Sequence, residues 1–363
     1  MLISRRAAWL VVAAASAIAA SNAHAQEPFY KGKRITLVIN FAAGGPTDIE
    51  GRLFAKHIAK HIDGQPGIIV QNKDGAGGLV GTNYVGELGP RDGSMVGYFT
   101  GAAWKYVIET EKHTVDFRKY EFIGYQPGGA VYYVRSDTPP GLKTAADILK
   151  AKGLVAGGLA TESSKDLLIR TTLDLLEVPH KYITGFRSSV NARLAVQRGE
   201  IHLHSESTPG YLSVVEPTMV KNGTVIPLYY DAHYDGTTFS VPPEMRGSSI
   251  QPFQEFFRKV KGRDPSGPLW DAYRTNLAVD SAMLRTIAMP PGVPQAAQQA
   301  LRTALARLNN DKEYAADTMK AMQFVPHYET GADINARVRR SLTVSPEIKA
   351  FVVNYMRSGK SAK

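Results

Sequence analysis

RITLVINFAAGGPTDIE, from Arg34 to Glu50, joins an apolar, β-rich run to a glycine turn and the start of an amphipathic helix. Few polar residues interrupt Arg34–Phe41, the pattern of a strand buried on both faces. Beyond the turn, Ile49, Leu53, Phe54, Ile58 and Ile62 fall on one helical stripe. Thr47 and Glu50 have capping-box spacing, in which the threonine oxygen accepts from the Glu50 amide and the glutamate reaches back. The unit then repeats. Gly67–Gln71 (GIIVQ) reads as a second strand, Asp74–Gly78 (DGAGG) as a second glycine loop, and Gly81–Leu88 as the start of a second helix. Two successive strand, glycine-loop, helix units predict a parallel α/β sheet. Free N–H groups at such a loop and helix start favour an anion, and ligands of open α/β sheets sit outside the carboxyl ends of the strands. Two adjacent loops therefore point to one anionic ligand.

Further along, Met95–Thr100 predicts a third strand, and Glu121–Val134 is β-rich before the turn at Asp137–Gly141. A second α/β series follows: strand Leu154–Ala156, loop Gly157–Ser164, helix Lys165–Leu176, then strand Lys181–Ile183, loop Thr184–Ser189 and helix Val190–Arg198. Ile201–His204 and Thr224–Tyr230 read as two more strands. The segment His233–Trp270, rich in Pro, Gly and charge, reads as a surface excursion with one helical piece at Phe253–Lys259. Arg285–Met289 is a candidate strand, and Gln295–Met322 reads as one continuous helix. The chain thus divides into two α/β lobes, without a solenoid-type repeat.

The whole chain narrows the function. Its 363 residues are enough for two domains. Arg5 and Arg6 precede an apolar run, Ala7–Ala20, and Ala23-His24-Ala25 supplies an A-x-A cleavage site. This predicts a Sec-type signal peptide over residues 1–25 and a periplasmic product beginning at Gln26. Ser4-Arg5-Arg6 has the arginine pair of twin-arginine export, but the following Ala7-Ala8-Trp9-Leu10 is a poor match. There is no cysteine, so stability must come from burial without disulfides. The formal charge is +10, or +8 without the leader (41 basic against 33 acidic side chains). The basic residues are scattered, which fits a surface attracting small anions and argues against nucleic acid.

Competing chemistries find little support. The second loop, GAGGLVG, has Val80 where G-x-G-x-x-G needs its third glycine, and no P-loop sequence occurs, so no nucleotide cofactor is expected. His57 and His61 lie one helical turn apart, but Ile58 stands where a zincin glutamate belongs and lysines flank both; they read as surface residues. His202 and His204 share one side of a strand, an arrangement that a polar cleft wall explains without a metal. No G-x-S-x-G occurs. An exported hydrolase-like α/β enzyme acting on an anion is the alternative to a binding protein.

The order strand, F-A-A-G-G-P-T-D, helix, strand, N-x-x-G-A-G-G-x-x-G, helix resembles the Bug or TctC family, the periplasmic solute-binding receptors of tripartite tricarboxylate transporters. The residues that carry it are Phe41–Gly45, Asp48, Arg52, Asn72, Gly75–Gly78 and Gly81. Asp92-Gly93, Ser163-Ser164, Gly199-Glu200-Ile201 and Pro290–Pro294 also fit. The chain departs from the family in its length between His233 and Trp270, in Lys73-Asp74 where Arg-Pro is commoner, and in the sequence T-E-S-S-K at Thr161–Lys165.

The resemblance implies a two-lobe α/β Venus-flytrap fold of the periplasmic-binding-protein kind, each lobe a mainly parallel sheet flanked by helices. Residues 26–127 and 281–363 would form lobe 1, and 128–280 lobe 2. It also implies a non-enzymatic, monomeric receptor that needs no cofactor or metal and passes a small carboxylate, mono-, di- or aromatic, to membrane permease subunits. The first-lobe cradle would comprise Ala42, Ala43, Gly44, Gly45, Thr47 and Asp48, with Gly75, Ala76, Gly77, Gly78 and Thr82. In it Asp48 would brace the loop, since it would repel an anion. The second lobe would offer Thr161, Ser163, Ser164 and Lys165, then Arg187 and Ser188, then Ser205 and Glu206. Trp104, with Tyr106 and Phe186, is a candidate to pack a flat ligand body.

Overall fold

The computed structural model describes residues 27–280 and 283–358. The expected signal peptide and its cleavage point lie outside them. Two six-stranded sheets form the two lobes, and β10 His233–Tyr234 pairs with β11 Phe239–Ser240 in a separate two-stranded ribbon. The first has the order β14-β4-β13-β3-β1-β2, with β1 Arg34–Ile39, β2 Gly67–Asn72, β3 Met95–Phe99, β4 Glu121–Gln126, β13 Arg285–Met289 and β14 Glu329–Thr330. The second has the order β12-β9-β5-β8-β6-β7, with β5 Ala130–Arg135, β6 Leu154–Gly157, β7 His180–Ile183, β8 Leu203–Ser207, β9 Val225–Tyr230 and β12 Gln251–Pro252. Both sheets are mixed: the second is mainly parallel as expected, with three parallel pairs to two antiparallel, while in the first two parallel pairs join three antiparallel ones. The β1–β2, β1–β3, β6–β7 and β6–β8 pairs are parallel. The strands next to the chain's crossings, β13 and β5, run antiparallel to both their neighbours. The β-rich run 121–134 is two strands split at Pro127-Gly128-Gly129, one in each sheet.

Helices α1 Pro46–Ile58, α2 Leu79–Leu88 and α3 Ala102–Ile108 follow the first three strands. In the second lobe, α4 Ser164–Leu175 and α5 Ser189–Arg198 follow β6 and β7. Residues Tyr211–Val220 wind as a π helix containing Pro217, which has no N–H to give. The other helices of eight residues or more are α6 Phe253–Lys261, α7 Pro268–Val279, α8 Gln295–Leu308, α9 Lys312–Met322, α10 Ile334–Ser341 and α11 Pro346–Arg357. The expected single helix over 295–322 is therefore two. Asn309-Asn310-Asp311 breaks it, because the Asp311 carboxylate caps α9 by accepting from the amides of Glu313 (2.9 Å) and Tyr314 (3.2 Å).

The segment expected on the surface, 233–270, instead packs into the second lobe's core. Phe253, Phe256 and Phe257 of α6 and Trp270 of α7 are buried with Tyr229 and Tyr273. The Phe239 ring stacks between Tyr234 (4.5 Å between centroids) and Trp270 (5.7 Å). Burying one such ring is worth about 1.5–3 kcal/mol, so aromatic spacing outweighs the polar composition that suggested exposure.

The C-terminal helix ties the lobes together. It packs against α7 and α3, while Arg170 of α4 donates to the carbonyls of Tyr355 (2.9 Å) and Met356 (3.2 Å). Tyr355 in turn donates to Asp174 Oδ2 (2.6 Å). No helix among the described residues is long and apolar enough to cross a membrane.

Candidate functional site

The two glycine loops meet at the carboxyl ends of β1 and β2, and Asn40 holds them together. Its Nδ2 donates to the carbonyls of Gly78 (3.2 Å) and Thr100 (2.9 Å), and its Oδ1 accepts from the Thr100 amide (2.9 Å). Four successive residues, Gly75 to Gly78, have positive φ, Ala76 among them at +47°. Such a run is strained for a residue with a side chain, and strain of this kind gathers at ligand sites. A Cβ on Gly78 would overlap the Asn40 side chain, and one on Gly77 would lie 2.9 Å from Lys105 Cε.

Asp48 is a brace. One oxygen accepts from the Gly44 amide (2.9 Å), and Asn72 and Arg52 hold the carboxylate from the other side. Burial alone would raise its pKa, but Arg52, the Gly44 amide and Asn72 together lower it below the ordinary carboxylate range. The Gly44 amide is thereby turned toward the protein's own carboxylate.

The capping box is overturned. Gly45 is the N-cap of α1, with no side-chain cap bond, and Pro46 follows it. Thr47 and Glu50 are buried and point elsewhere: Thr47 Oγ1 meets Thr100 Oγ1 at 3.1 Å, and Glu50 Oε2 accepts from Arg285 Nε at 2.8 Å. Arg285 also donates to Thr100 Oγ1 (3.0 Å). A buried arginine at the head of β13 thus closes a chain, Glu50–Arg285–Thr100–Asn40–Gly78, behind both loops. Sequence reading missed it; the signal was a charged residue opening the apolar strand Arg285–Met289.

The other expected residues divide clearly. Ala42 and Ala43 are exposed, Thr82 is buried and donates to Gly78 O (3.0 Å), and Trp104 is buried in the core with its Nε1 unpaired among the described residues. In the second lobe, Ser163 and Ser188 cap α4 and α5, Ser164 donates to Asn276 Oδ1 (2.8 Å), and Arg187 is exposed. Lys165 donates to Ser189 Oγ (2.7 Å) and to the Ser205 carbonyl (3.1 Å), and burial lowers its pKa. It lies within electrostatic reach of Arg285 across the lobes. Glu206 is paired with Arg193 (2.9 Å). A cavity of about 390 Å³ opens where the end of α3 meets the loop after β6 and α11; Glu109, Glu111, Lys112, Thr161, Glu162 and Arg357 line it. Of the expected ligand residues, Thr161 alone is in that lining.

The histidine readings change too. His57 is buried, not on the surface. His202 Nδ1 accepts from the Val155 amide (3.0 Å) and His204 Nδ1 lies 2.7 Å from the Gly157 carbonyl, so each imidazole is engaged with the β6 backbone.

Asp231, buried between Tyr132 (3.1 Å) and Tyr273 (2.9 Å), has its pKa pushed by burial up to about 7. The folded state keeps this proton while an unfolded Asp loses it near pH 4, so Asp231 costs increasing stability from about pH 4 to about pH 7. Half-buried His113 and buried His204 have pKa values lowered by desolvation and slope the opposite way below about pH 6.5. The expected result is therefore a difference: in urea unfolding, Asp231→Asn gains stability on the wild type as pH rises from 5 to 7, then holds level. A constant difference over that range would contradict the assignment.

No protein-family model matches the chain. A UPF0065 protein of Agrobacterium vitis is 27% identical over 222 residues, covering 53% of this chain and 62% of that protein. BugT of Bordetella pertussis is 39% identical over 54 residues, 15% of this chain and 16% of that one. Over these stretches the chain is similar to UPF0065 and Bug proteins. These alignments span less than two thirds of each relative, whereas the fold extends through almost the whole of its structural neighbours. The periplasmic binding protein BugD superposes with a TM-score of 0.63 at 16% identity, over 91% of this chain and 98% of BugD. A Polaromonas TctC solute-binding protein gives 0.59 at 20% identity, over 89% and 99%. An R. palustris protein solved with adipate gives 0.64 at 16% identity, over 88% and 97%.

Proposed function

We propose that the chain is a periplasmic solute-binding receptor that captures a small organic acid by closing two lobes, residues 26–127 with 281–363 and residues 128–280, and delivers it to a tripartite tricarboxylate-type permease. The observation that carries this reading is the glycine cradle framed by Asn40 and Arg285, with the half-buried ammonium of Lys165 on the opposite lobe. Backbone amides and helix starts favour any carboxylate, while a charged side chain opposite selects among them. The adipate complex of a protein with the same fold supports the ligand class. Closure needs only that the ligand bind the closed state better than the open one; no bond is made or broken.

A thermal-shift screen of mono-, di- and aromatic carboxylates on the purified mature protein tests it. A receptor melts higher as occupancy rises, and its ligand is recovered unchanged at one equivalent. Product accumulating over many turnovers would establish the exported-enzyme alternative instead.

A further inference from the structure

We propose that the seam between α1 and α9, on the outer face of the first lobe, is a binding site for a divalent cation of the zinc class. His57 Nδ1, Asp311 Oδ2 and a Glu313 oxygen are its ligands, and His61, whose Nε2 lies 2.8 Å from Asp311 Oδ2, holds that carboxylate in place. His57 and His61 are four residues apart, the second in the 3-10 turn Ala59–His61 that continues α1, so their rings lie over one face. Both converge on one atom: Asp311 Oδ2 is 2.8 Å from His61 Nε2 and 3.8 Å from His57 Nδ1. His57, Asp311 and Glu313 each place a ligand atom within 4.8 Å of the others. An imidazole beside two carboxylates, with open positions left for water, suits Zn²⁺ and its neighbours better than Mg²⁺ or Ca²⁺, which prefer oxygen.

The surroundings are those of a held ligand set. His57 Nε2 lies 2.9 Å from Asp317 Oδ2; donating there fixes the tautomer that leaves a lone pair on Nδ1, facing Asp311. A carboxylate behind a ligating histidine is the usual orienting partner. Asp311 Oδ1 is fixed by the capping amides of α9, which leaves Oδ2 for the seam. The side chains of His57 and Asp311 are 5% and 6% exposed. The competitor is Lys60, whose ammonium bridges Asp311 Oδ2 (2.8 Å) and Glu313 Oε2 (2.6 Å). Its side chain is 39% exposed, so it can swing into solvent as a metal enters. Lys56 pairs with Asp317 outside the ligand set.

Titrating tag-free, chelator-stripped protein with Zn²⁺ in a calorimeter, and with Co²⁺ followed by visible absorption, tests the site. The expected result is saturable one-to-one binding, Co²⁺ bands of nitrogen and oxygen ligation, and a Tm that rises with free Zn²⁺. Lys60→Met should tighten binding on the order of tenfold by removing the competing charge. Asp317→Asn should weaken it by about 10–100-fold. Glu313→Ala, at a largely exposed side chain, should remove or strongly weaken it while circular dichroism stays native. No saturable binding in the wild type, or binding indifferent to Lys60→Met and Glu313→Ala, would show that the seam is a salt-bridge network and nothing more.

Discussion

Arg285→Ala is expected to cost about 3–5 kcal/mol of stability, the range for removing one partner of a buried ion pair. The Arg285 side chain is 2% exposed and that of Glu50 is fully buried. Truncation leaves the Glu50 carboxylate uncompensated in the core and takes a donor from Thr100. Since a protein of this kind has roughly 5–15 kcal/mol in total, the urea midpoint should fall steeply. The double variant Glu50→Gln with Arg285→Met separates charge from packing: with no ion left behind, it should recover a large part of the loss. A single-variant cost below about 1 kcal/mol, the scale of an exposed pair, would mean that the Glu50–Arg285 pair is not the desolvated strut described above.

The same pair shows where sequence reading stops. The strand, loop and helix order around Asn40 was legible because period and glycine placement are local, and so were α4, α5 and most strands of both sheets. The brace role of Asp48 was legible as well, since its partners Gly44 and Arg52 lie within four residues. Glu50 was misread for the opposite reason. Its partner is 235 residues away, so the local capping-box spacing was the only signal available, and a buried guanidinium outcompeted it. The segment 233–270 was misread because Pro, Gly and charge dominate its composition, while Phe239, Phe253, Phe256 and Trp270 do the packing. His57 was assigned to the surface because lysines flank it, although helix α9, which covers it, is itself legible only once the Asp311 cap is seen. In the site, the loops were visible and the frame behind them was not: Asn40, Thr100 and Arg285 act through contacts 60 to 185 residues apart.

Lys165→Met gives the sharpest test of the second lobe. Met keeps most of the buried stem and removes the ammonium, which here donates only to neutral oxygens, Ser189 Oγ and Ser205 O, and is not ion-paired with Glu206. Because burial already works against its charge, the unliganded protein should lose little stability. A charge-assisted hydrogen bond is worth about 1.5–3 kcal/mol. If Lys165 receives the far carboxylate of a diacid, affinity for that diacid should fall by roughly 10–150-fold. A monoacid held only by the glycine loops should bind both forms alike, because its carboxylate never reaches the second lobe. Calorimetry on one diacid and its monoacid analogue decides the matter. Equal losses for both would place Lys165 at the common carboxylate, and no loss for either would remove it from the site, leaving selectivity to the caps and side chains around Ser163, Ser188 and Glu206.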